Sequence, residues 1–146
     1  WQLIGDVKNN PRMHIPVFGN GDIDSPKKVI DYKEKYGVDG VMIGRASIGY
    51  PWVFNEIKHF MKTGEHLAPP GIKERVAITK EHLTMSVNWK GEILGVAEMK
   101  RHYSNYFKGI SHFKEYRTKL VTTFDLQEIY DTLDYIEANA EEFFLV

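Results

Sequence analysis

The sequence predicts an α/β segment followed by an all-α domain. Two short apolar runs, at residues 15–18 and 40–43, each end in glycine and polar residues, as buried parallel strands do. A helical pattern lies between them, which makes a unit of strand, helix and parallel strand. After a segment rich in glycine and proline at residues 64–71, the apolar residues recur only with helical spacing.

The helix between the two strands has clear boundary signals. Ser25 is a favourable N-cap, Pro26 suits the first helical position, and Gly37 is expected to end the helix. Residues 1–10 carry apolar side chains at helical spacing, and a further helix after Pro51 has an apolar face that would cover a sheet. The segment is therefore expected to hold two strands with helices packed on them.

The two strand ends carry polar residues and glycines that suit a binding site. These glycines let backbone amides approach a ligand, and a helix starting just after Arg45 would direct its positive end toward an anion. A phosphate group fits this description, because in (β/α)8 barrels the loops after the last two strands form a recurring phosphate site. The alternative is that the glycines serve only as tight turns. The residues at these ends are Gly19, Asn20, Gly21, Asp22, Gly44 and Arg45.

Composition limits the possible functions. The 146 residues are 42% hydrophobic and 27% charged, with a formal net charge of −1, which is ordinary for a globular protein. No apolar run approaches the ~20 residues that span a bilayer, and no signal peptide is visible, so we expect a cytoplasmic protein with no membrane partner. The absence of cysteine excludes disulfides, thiolate ligands and a cysteine nucleophile from this chain. The histidines lack metal-ligand spacing, so no metal site is predicted.

The helical domain is expected to be a bundle of four antiparallel helices joined by short loops. The predicted helices cover residues 72–90, 92–107, 112–120 and 126–139. Asp125 is the expected N-cap of the last helix, with Glu128 at the capping-box position. The predicted division is an α/β part at 1–63, a linker at 64–71 and the helical domain at 72–146.

Charge in the helical domain is divided by sign. Residues 99–119 contain six basic residues against one acidic residue, whereas residues 125–142 contain seven acidic residues and no basic one. Cations beside aromatic rings suit a phosphate backbone with unstacked bases, so RNA contact is one hypothesis. The other is a solvated basic face over core aromatics, and the helical spacing of the rings favours the core. The rings are Tyr103, Tyr106, Phe107, Phe113 and Tyr116.

Four longer motifs follow one another along the chain. They are Phe-Gly-Asn-Gly-Asp-Ile at 18–23, Asp-Gly-Val-Met-Ile-Gly-Arg-Ala at 39–46, Gly-Tyr-Pro-Trp-Val-Phe at 49–54, and Met-Lys-Arg-His-Tyr-Ser-Asn-Tyr-Phe-Lys-Gly at 99–109. In this order they resemble the carboxyl-terminal part of a bacterial tRNA-dihydrouridine synthase, over essentially the whole chain. The resemblance implies the last two βα units of a TIM (β/α)8 barrel, with strands seven and eight, followed by the four-helix bundle.

The resemblance also implies an FMN-dependent oxidoreductase that reduces the C5=C6 bond of uridine in tRNA, with NADPH as the reductant. It assigns the FMN phosphate and ribityl end to Asn20, Gly21, Asp22, Gly44 and Arg45. It assigns tRNA contact to Lys100, Arg101 and His102, to which the basic face adds Lys108 and Arg117. The order Lys-Arg at 100–101 reverses the family's usual pair, and Tyr50 and Asn105 also depart from its pattern.

The family's catalytic cysteine belongs to an earlier barrel strand, as do the lysine and histidine near the flavin ring. We therefore expect a carboxyl-terminal piece that has no catalytic residue and is inactive by itself. Two alternatives remain. One is another FMN-dependent barrel oxidoreductase, which the helical domain disfavours; the other is a non-catalytic RNA-binding or regulatory module, which a mobility-shift assay with tRNA would reveal. With two of a barrel's eight strands, the piece is expected to self-associate through open strand edges.

Overall fold

The structure is a computed structural model, and it describes residues 1–145. Val146, the last residue of the predicted helical domain, lies outside the described residues. The chain divides into two compact units, the first unit at Trp1–Ala68 and the second unit from Pro69 onward. The described residues are mostly helical and contain one small two-stranded sheet.

The first unit consists of a parallel pair of strands and three α-helices among its described residues. Its elements are α1 (Gln2–Lys8), β1 (Phe18–Asn20), α2 (Pro26–Tyr36), β2 (Gly40–Met42), a 3-10 turn (Arg45–Ser47) and α3 (Val53–Thr63). Phe18 lies opposite Gly40 and Asn20 lies opposite Met42 in the parallel pairing. Helix α2 contacts both α1 and α3. The order of strand, helix and parallel strand is the one predicted from the sequence.

The first strand begins later than predicted, because Val17, the residue before it, is hydrogen-bonded to the side chain of Asp39. Val17 donates its backbone N–H to the carboxylate of Asp39 at 2.7 Å, and its carbonyl accepts the N–H of Asp39 at 2.9 Å. Lys8 donates to the same carboxylate at 2.7 Å. This bond from Lys8, with the one from Val17, lowers the pKa of Asp39. Regular pairing with β2 then starts at Phe18.

The sheet leaves part of its apolar surface exposed, as expected for strands that are apolar on both faces and have helices on one side only. Phe18 in β1 is 66% exposed and Met42 in β2 is 56% exposed. The buried core of the first unit is formed instead by Ile23, Val29, Val53 and Ile57. The unit therefore has a small core and an apolar sheet surface outside it.

The ends of α2 confirm most of the predicted signals. Ser25 occupies the N-cap position, Pro26 is the first helical residue, and Gly37 ends the helix with a left-handed φ of 67°. Within the described residues, however, the Ser25 side chain makes no capping hydrogen bond. The helix expected directly after Arg45 is only the 3-10 turn at Arg45–Ser47.

The described part of the second unit contains four α-helices that pack against one another. They are α4 (Ile72–Lys90), α5 (Glu92–Tyr106), α6 (Lys114–Thr122) and α7 (Leu126–Ala138), followed by a 3-10 turn at Ala140–Glu142. Helices α4 and α6 each contact both α5 and α7. At the contact of α4 with α5, a Cβ built on Gly95 would lie 2.7 Å from the backbone of Val87, so only glycine permits this approach. The largest fully buried side chains include Leu83, Met99, Tyr103, Phe107, Phe113, Leu120, Ile129, Leu133 and Ile136.

The predicted helix limits of the second unit are confirmed to within a residue or two. Helix α4 has the predicted limits, and α5 and α7 each end one residue early. The third predicted helix began at His112, but α6 begins at Lys114, because His112 has a φ of 54° that an α-helix does not allow. Four of the five predicted core rings are buried, and Tyr116 is half-buried.

The cap of α7 confirms one half of the predicted capping box. Asp125 accepts a hydrogen bond from the backbone N–H of Glu128 at 2.9 Å. The Glu128 carboxylate does not accept the backbone N–H of Asp125, which the second half of the box requires. It accepts instead from the hydroxyl of Thr123 at 2.7 Å. Among the described residues, we also find no helix with the length and apolar character of a membrane span.

Candidate anion site and basic surface

All the residues predicted at the two strand ends except Gly19 line one open cavity in the first unit. Gly21 and Asp22 directly follow β1, and Gly44 and Arg45 come shortly after β2. The strands are parallel, so both loops leave the same edge of the sheet. The cavity has a volume of about 810 Å³. Its lining consists of Asn20, Gly21, Asp22, Ile23, Asp24, Lys28, Gly44, Arg45 and Ala46.

The loop after β1 has a backbone that few residues adopt. Gly21 has a φ of 137°, which is accessible only to glycine without strain, and Asp22 has a φ of 48°. Aspartate tolerates the left-handed region better than most residues, at a cost of about 1 kcal/mol. A contact from outside the loop offsets part of this cost: the indole N–H of Trp1 donates to the carbonyl of Gly21 at 2.8 Å.

The loop after β2 presents donors to open space. A Cβ built on Gly44 would meet no atom within 4 Å apart from its chain neighbours, so the space beside its Cα is open. The first N–H groups of the following 3-10 turn have no partner inside the turn. The Arg45 side chain is 84% exposed. Backbone amides beside an accessible guanidinium are the donors that phosphate oxygens prefer.

Both cations of the cavity contact carboxylates. Arg45 contacts Asp22, and Lys28 donates to Asp24 at 2.8 Å. The hydrogen bond between Lys28 and Asp24 lowers the pKa of the carboxyl and raises the pKa of the ammonium. An incoming anion must therefore compete with Asp22 for Arg45. Because this pair is exposed, little free energy opposes its exchange for a stronger anion.

The chemistry of this donor set fits a phosphate carried by a polyhydroxy chain. Guanidinium, ammonium and backbone amides can bind the phosphate oxygens, and the carboxylates can accept hydrogen bonds from hydroxyl groups. The sequence could have indicated Asp24 and Lys28, because a carboxylate just before a helix and a lysine four residues later in its first turn can form an ion pair. Trp1 gave no such signal, since it reaches Gly21 from twenty positions away.

The predicted RNA-contact residues lie on α5, on the loop after it and on α6, and they differ in how freely they present charge. Arg101 and Lys108 are exposed. Lys100 is half-buried, with its ammonium 3.1 Å from the centroid of the Phe124 ring and 3.2 Å from the carbonyl of Thr122, to which it donates. The charge of Lys100 is therefore partly engaged within the unit.

Arg117 is also half-buried, and it links α6 to the loop that precedes it. Its guanidinium donates to the carbonyl of Phe107 at 3.1 Å. A second buried guanidinium supports the same loop, because Arg75 donates to the carbonyls of Tyr106 and Lys108 at 2.9 and 3.2 Å. Of the five predicted residues, Arg101 and Lys108 are therefore the most accessible to a ligand.

His102 belongs to a ring cluster at the contact of α4 with α5, which the sequence did not reveal. Its ring centroid lies 4.7 Å from that of His82, and His82 Nδ1 lies 3.0 Å from the hydroxyl of Tyr106. Burial, with His82 and Arg101 nearby, lowers the pKa of His102 to about 4. His102 is therefore neutral at pH 7 and adds no positive charge to the basic surface.

A polar cavity at the carboxyl ends of parallel strands, followed in the chain by a helical unit, is the arrangement of an α/β protein with an additional helical domain. The sequence profile described as Dihydrouridine synthase (Dus) matches residues 1–143. The chain belongs to the dihydrouridine synthase family. This confirms the family resemblance noted from the four motifs.

Individual relatives agree with the family profile. A tRNA-dihydrouridine synthase B of Pseudomonas putida is 40% identical over 127 residues, which cover 87% of this chain and 37% of the relative. The protein of the same name from Pseudomonas aeruginosa is 43% identical over 119 residues, 82% of this chain and 35% of the relative. A probable tRNA-dihydrouridine synthase 1 of Synechocystis sp. is 38% identical over 141 residues, 97% of this chain and 39% of the relative. The chain thus spans less than two fifths of the length of these relatives.

Proposed function

We propose that the chain is the part of an FMN-dependent tRNA-dihydrouridine synthase that holds the phosphate end of FMN and contacts tRNA. The complete enzyme reduces the C5=C6 bond of uridine in tRNA, with NADPH as the reductant, in the cytoplasm. Family membership supports the reaction class, and the names of the relatives supply tRNA as the substrate. The observation that carries the cofactor assignment is the meeting of both strand-end loops in one cavity.

The residues of the cavity divide the work of holding FMN. The guanidinium of Arg45 and the amides near Gly44 bind the phosphate, and Asn20 and Asp22 orient the ribityl hydroxyls. Gly21 gives the loop the backbone conformation that places these groups. Bound FMN supplies the hydride chemistry. No residue of this chain is assigned a catalytic role, and the chain alone is inactive in this proposal.

The two parts of the chain serve different ligands in this proposal. Residues 1–63 supply the last two βα units of the FMN-binding barrel, residues 64–71 form a linker, and residues 72–146 form the tRNA-binding helical domain. The accessible charge of Arg101 and Lys108 supports the second assignment. Lys100, His102 and Arg117 are included as contacts whose charge or ring is partly engaged within the domain.

Replacing Arg45 tests the cofactor assignment. The chain supplies only the phosphate end of the site, so we expect weak binding of FMN, which NMR titration can measure. Arg45→Ala should weaken FMN binding about tenfold or more, because it removes a charge-assisted hydrogen bond to the phosphate. Arg12→Ala is the matched control, since Arg12 is an exposed arginine of the first unit outside the cavity. Equal FMN affinity of the two variants would refute the assignment.

Replacing Lys100 and Arg101 tests the tRNA assignment. The double variant to alanine should bind tRNA more weakly, and its log–log dependence on salt should flatten by roughly one unit for each lost phosphate contact. Lys27→Ala with Lys35→Ala removes the same charge from exposed positions of the first unit and serves as the control. An unchanged salt slope in the test variant would leave the basic residues as solvated surface.

A further inference from the structure

We infer that Trp1 is a positioning residue for the anion site: its indole sets the direction of the backbone in Gly21 and Asp22, the loop after β1. The inference rests on the proposed function, because it concerns one of the two loops assigned to the phosphate and ribityl end of FMN. Trp1 does not line the cavity. It contacts this region of the chain from outside the cavity lining, through one hydrogen bond and one close ring contact.

The hydrogen bond fixes one peptide unit of the loop. The indole Nε1–H of Trp1 donates to the carbonyl of Gly21 at 2.8 Å in a partly buried setting. That carbonyl belongs to the same planar trans peptide as the N–H of Asp22, so the two groups point in opposite directions. By holding the carbonyl of Gly21, the indole directs the N–H of Asp22 away from itself. Asp22 lines the cavity, and this amide is a donor suited to an anion.

The ring of Trp1 also lies directly against β1. A Cβ built on Gly19 would collide with the six-membered ring of the indole, so the ring occupies the space that any other residue at this position would need. A Cβ built on Gly21 would lie 3.1 Å from Nε1. The two glycines therefore permit the close approach of the indole as well as the loop conformation.

Helix α2 holds the other side of the indole. The Trp1 and Tyr32 ring centroids lie 4.6 Å apart in an edge arrangement, and the Tyr36 ring stacks on the indole at 5.6 Å. Lys28 of the same helix lines the cavity. Trp1 thus connects α2 to the loop after β1. A loop with two successive residues of positive φ needs such a support to keep one conformation.

The test removes the indole donor and keeps a ring at this position. Trp1→Phe should raise the dissociation constant for FMN about fivefold, the value of one neutral hydrogen bond, and should leave riboflavin, which lacks the phosphate, unaffected. Independently of ligand, the N–H of Asp22 should exchange faster with solvent. Trp89→Phe is the matched control, because Trp89 is 81% exposed in the second unit. Site-specific replacement of Trp1 by benzothienylalanine removes the N–H while keeping the ring shape, in case phenylalanine disrupts packing.

Two comparisons of variants distinguish failure of this inference from failure of the proposed function. If Arg45→Ala weakens FMN binding and the two Trp1 replacements do not, the cofactor assignment stands and the positioning role is wrong. If Arg45→Ala has no effect, the cofactor assignment fails, and the exchange rate of the Asp22 amide still decides whether Trp1 orders the loop. Exchange in both Trp1 variants equal to that of the Trp89→Phe control would overturn the inference.

Discussion

The two units of the chain differ in how they bury apolar side chains. The second unit encloses residues from all four of its described helices, and it holds eleven of the twelve largest fully buried side chains among the described residues. The first unit has a core of four buried residues, while Phe18 and Met42 of its sheet are 66% and 56% exposed. The unit with the smaller core nevertheless carries a cavity lined by four charged side chains, those of Asp22, Asp24, Lys28 and Arg45. Its loops are therefore held by specific polar contacts more than by burial.

The largest predicted effect is on the free energy of unfolding, and it separates the same isoleucine-to-alanine substitution made in each unit. Ile129 in α7 is fully buried, whereas Ile15 before β1 is 70% exposed. Ile129→Ala should destabilise the second unit by about 2–5 kcal/mol, because it removes buried methyl groups and leaves a cavity. Ile15→Ala should change the stability of the first unit by no more than about 0.5 kcal/mol. Urea denaturation followed by circular dichroism measures both. Similar losses for the two variants would contradict the difference in burial.

The exposed sheet predicts that the first unit mediates self-association, as expected from open strand edges. Phe18→Asp places a charge on this surface and should weaken association about tenfold or more. Light scattering at tens of micromolar chain should give more than the mass of one chain for the unmodified protein. Ile93→Asp is the matched control, because Ile93 is 80% exposed in the second unit. A single-chain mass for the unmodified protein would show that the sheet surface drives no association.

A smaller difference between the two units is expected in how their stability changes as the pH falls. The pKa of His102 is lowered from its ordinary 6.5 to about 4, so the unfolded chain binds more protons between these values. The second unit should therefore lose stability as the pH falls from about 6.5 to 4, by ~1 kcal/mol after allowance for partial exposure, and should be insensitive above this window. His102→Gln should reduce this slope, and the remainder should come from His82, whose pKa burial also lowers. A stability that is flat across the window in the unmodified chain would contradict the assigned burial of the ring.

The first unit should lose stability at a lower pH than the second unit does. Its Asp39 carboxyl has a pKa lowered by Lys8 from an ordinary value of 3.8, so its contribution is present above that value. That contribution is lost as the pH falls through the lowered pKa. Thermal melts from pH 7 to pH 3, with Asp39→Asn as the comparison, measure the two responses separately. Loss of the first unit before the second on acidification would reverse the expected order.

The same comparison explains how far the sequence could predict the structure. The limits of α4 and the cap at Asp125 are local in sequence, so periodicity and capping chemistry found them. The start of β1 depends on Asp39, which lies more than twenty residues away, and the strand was misplaced. The cavity was predicted because the ends of parallel strands meet by topology. The contact of Trp1 with Gly21 was not, because it depends on how α2 packs.

The most direct test of the account is to map the binding of FMN on the backbone amides of the chain by NMR. FMN should shift the amides of residues 20–22 and 44–46 and leave the amides of the second unit in place, whereas riboflavin, which has the ribityl chain but no phosphate, should leave the amides of residues 44–46 in place. Riboflavin shifting the same amides as strongly as FMN, or FMN acting only elsewhere, would contradict the assignment of this cavity to the phosphate end of the cofactor.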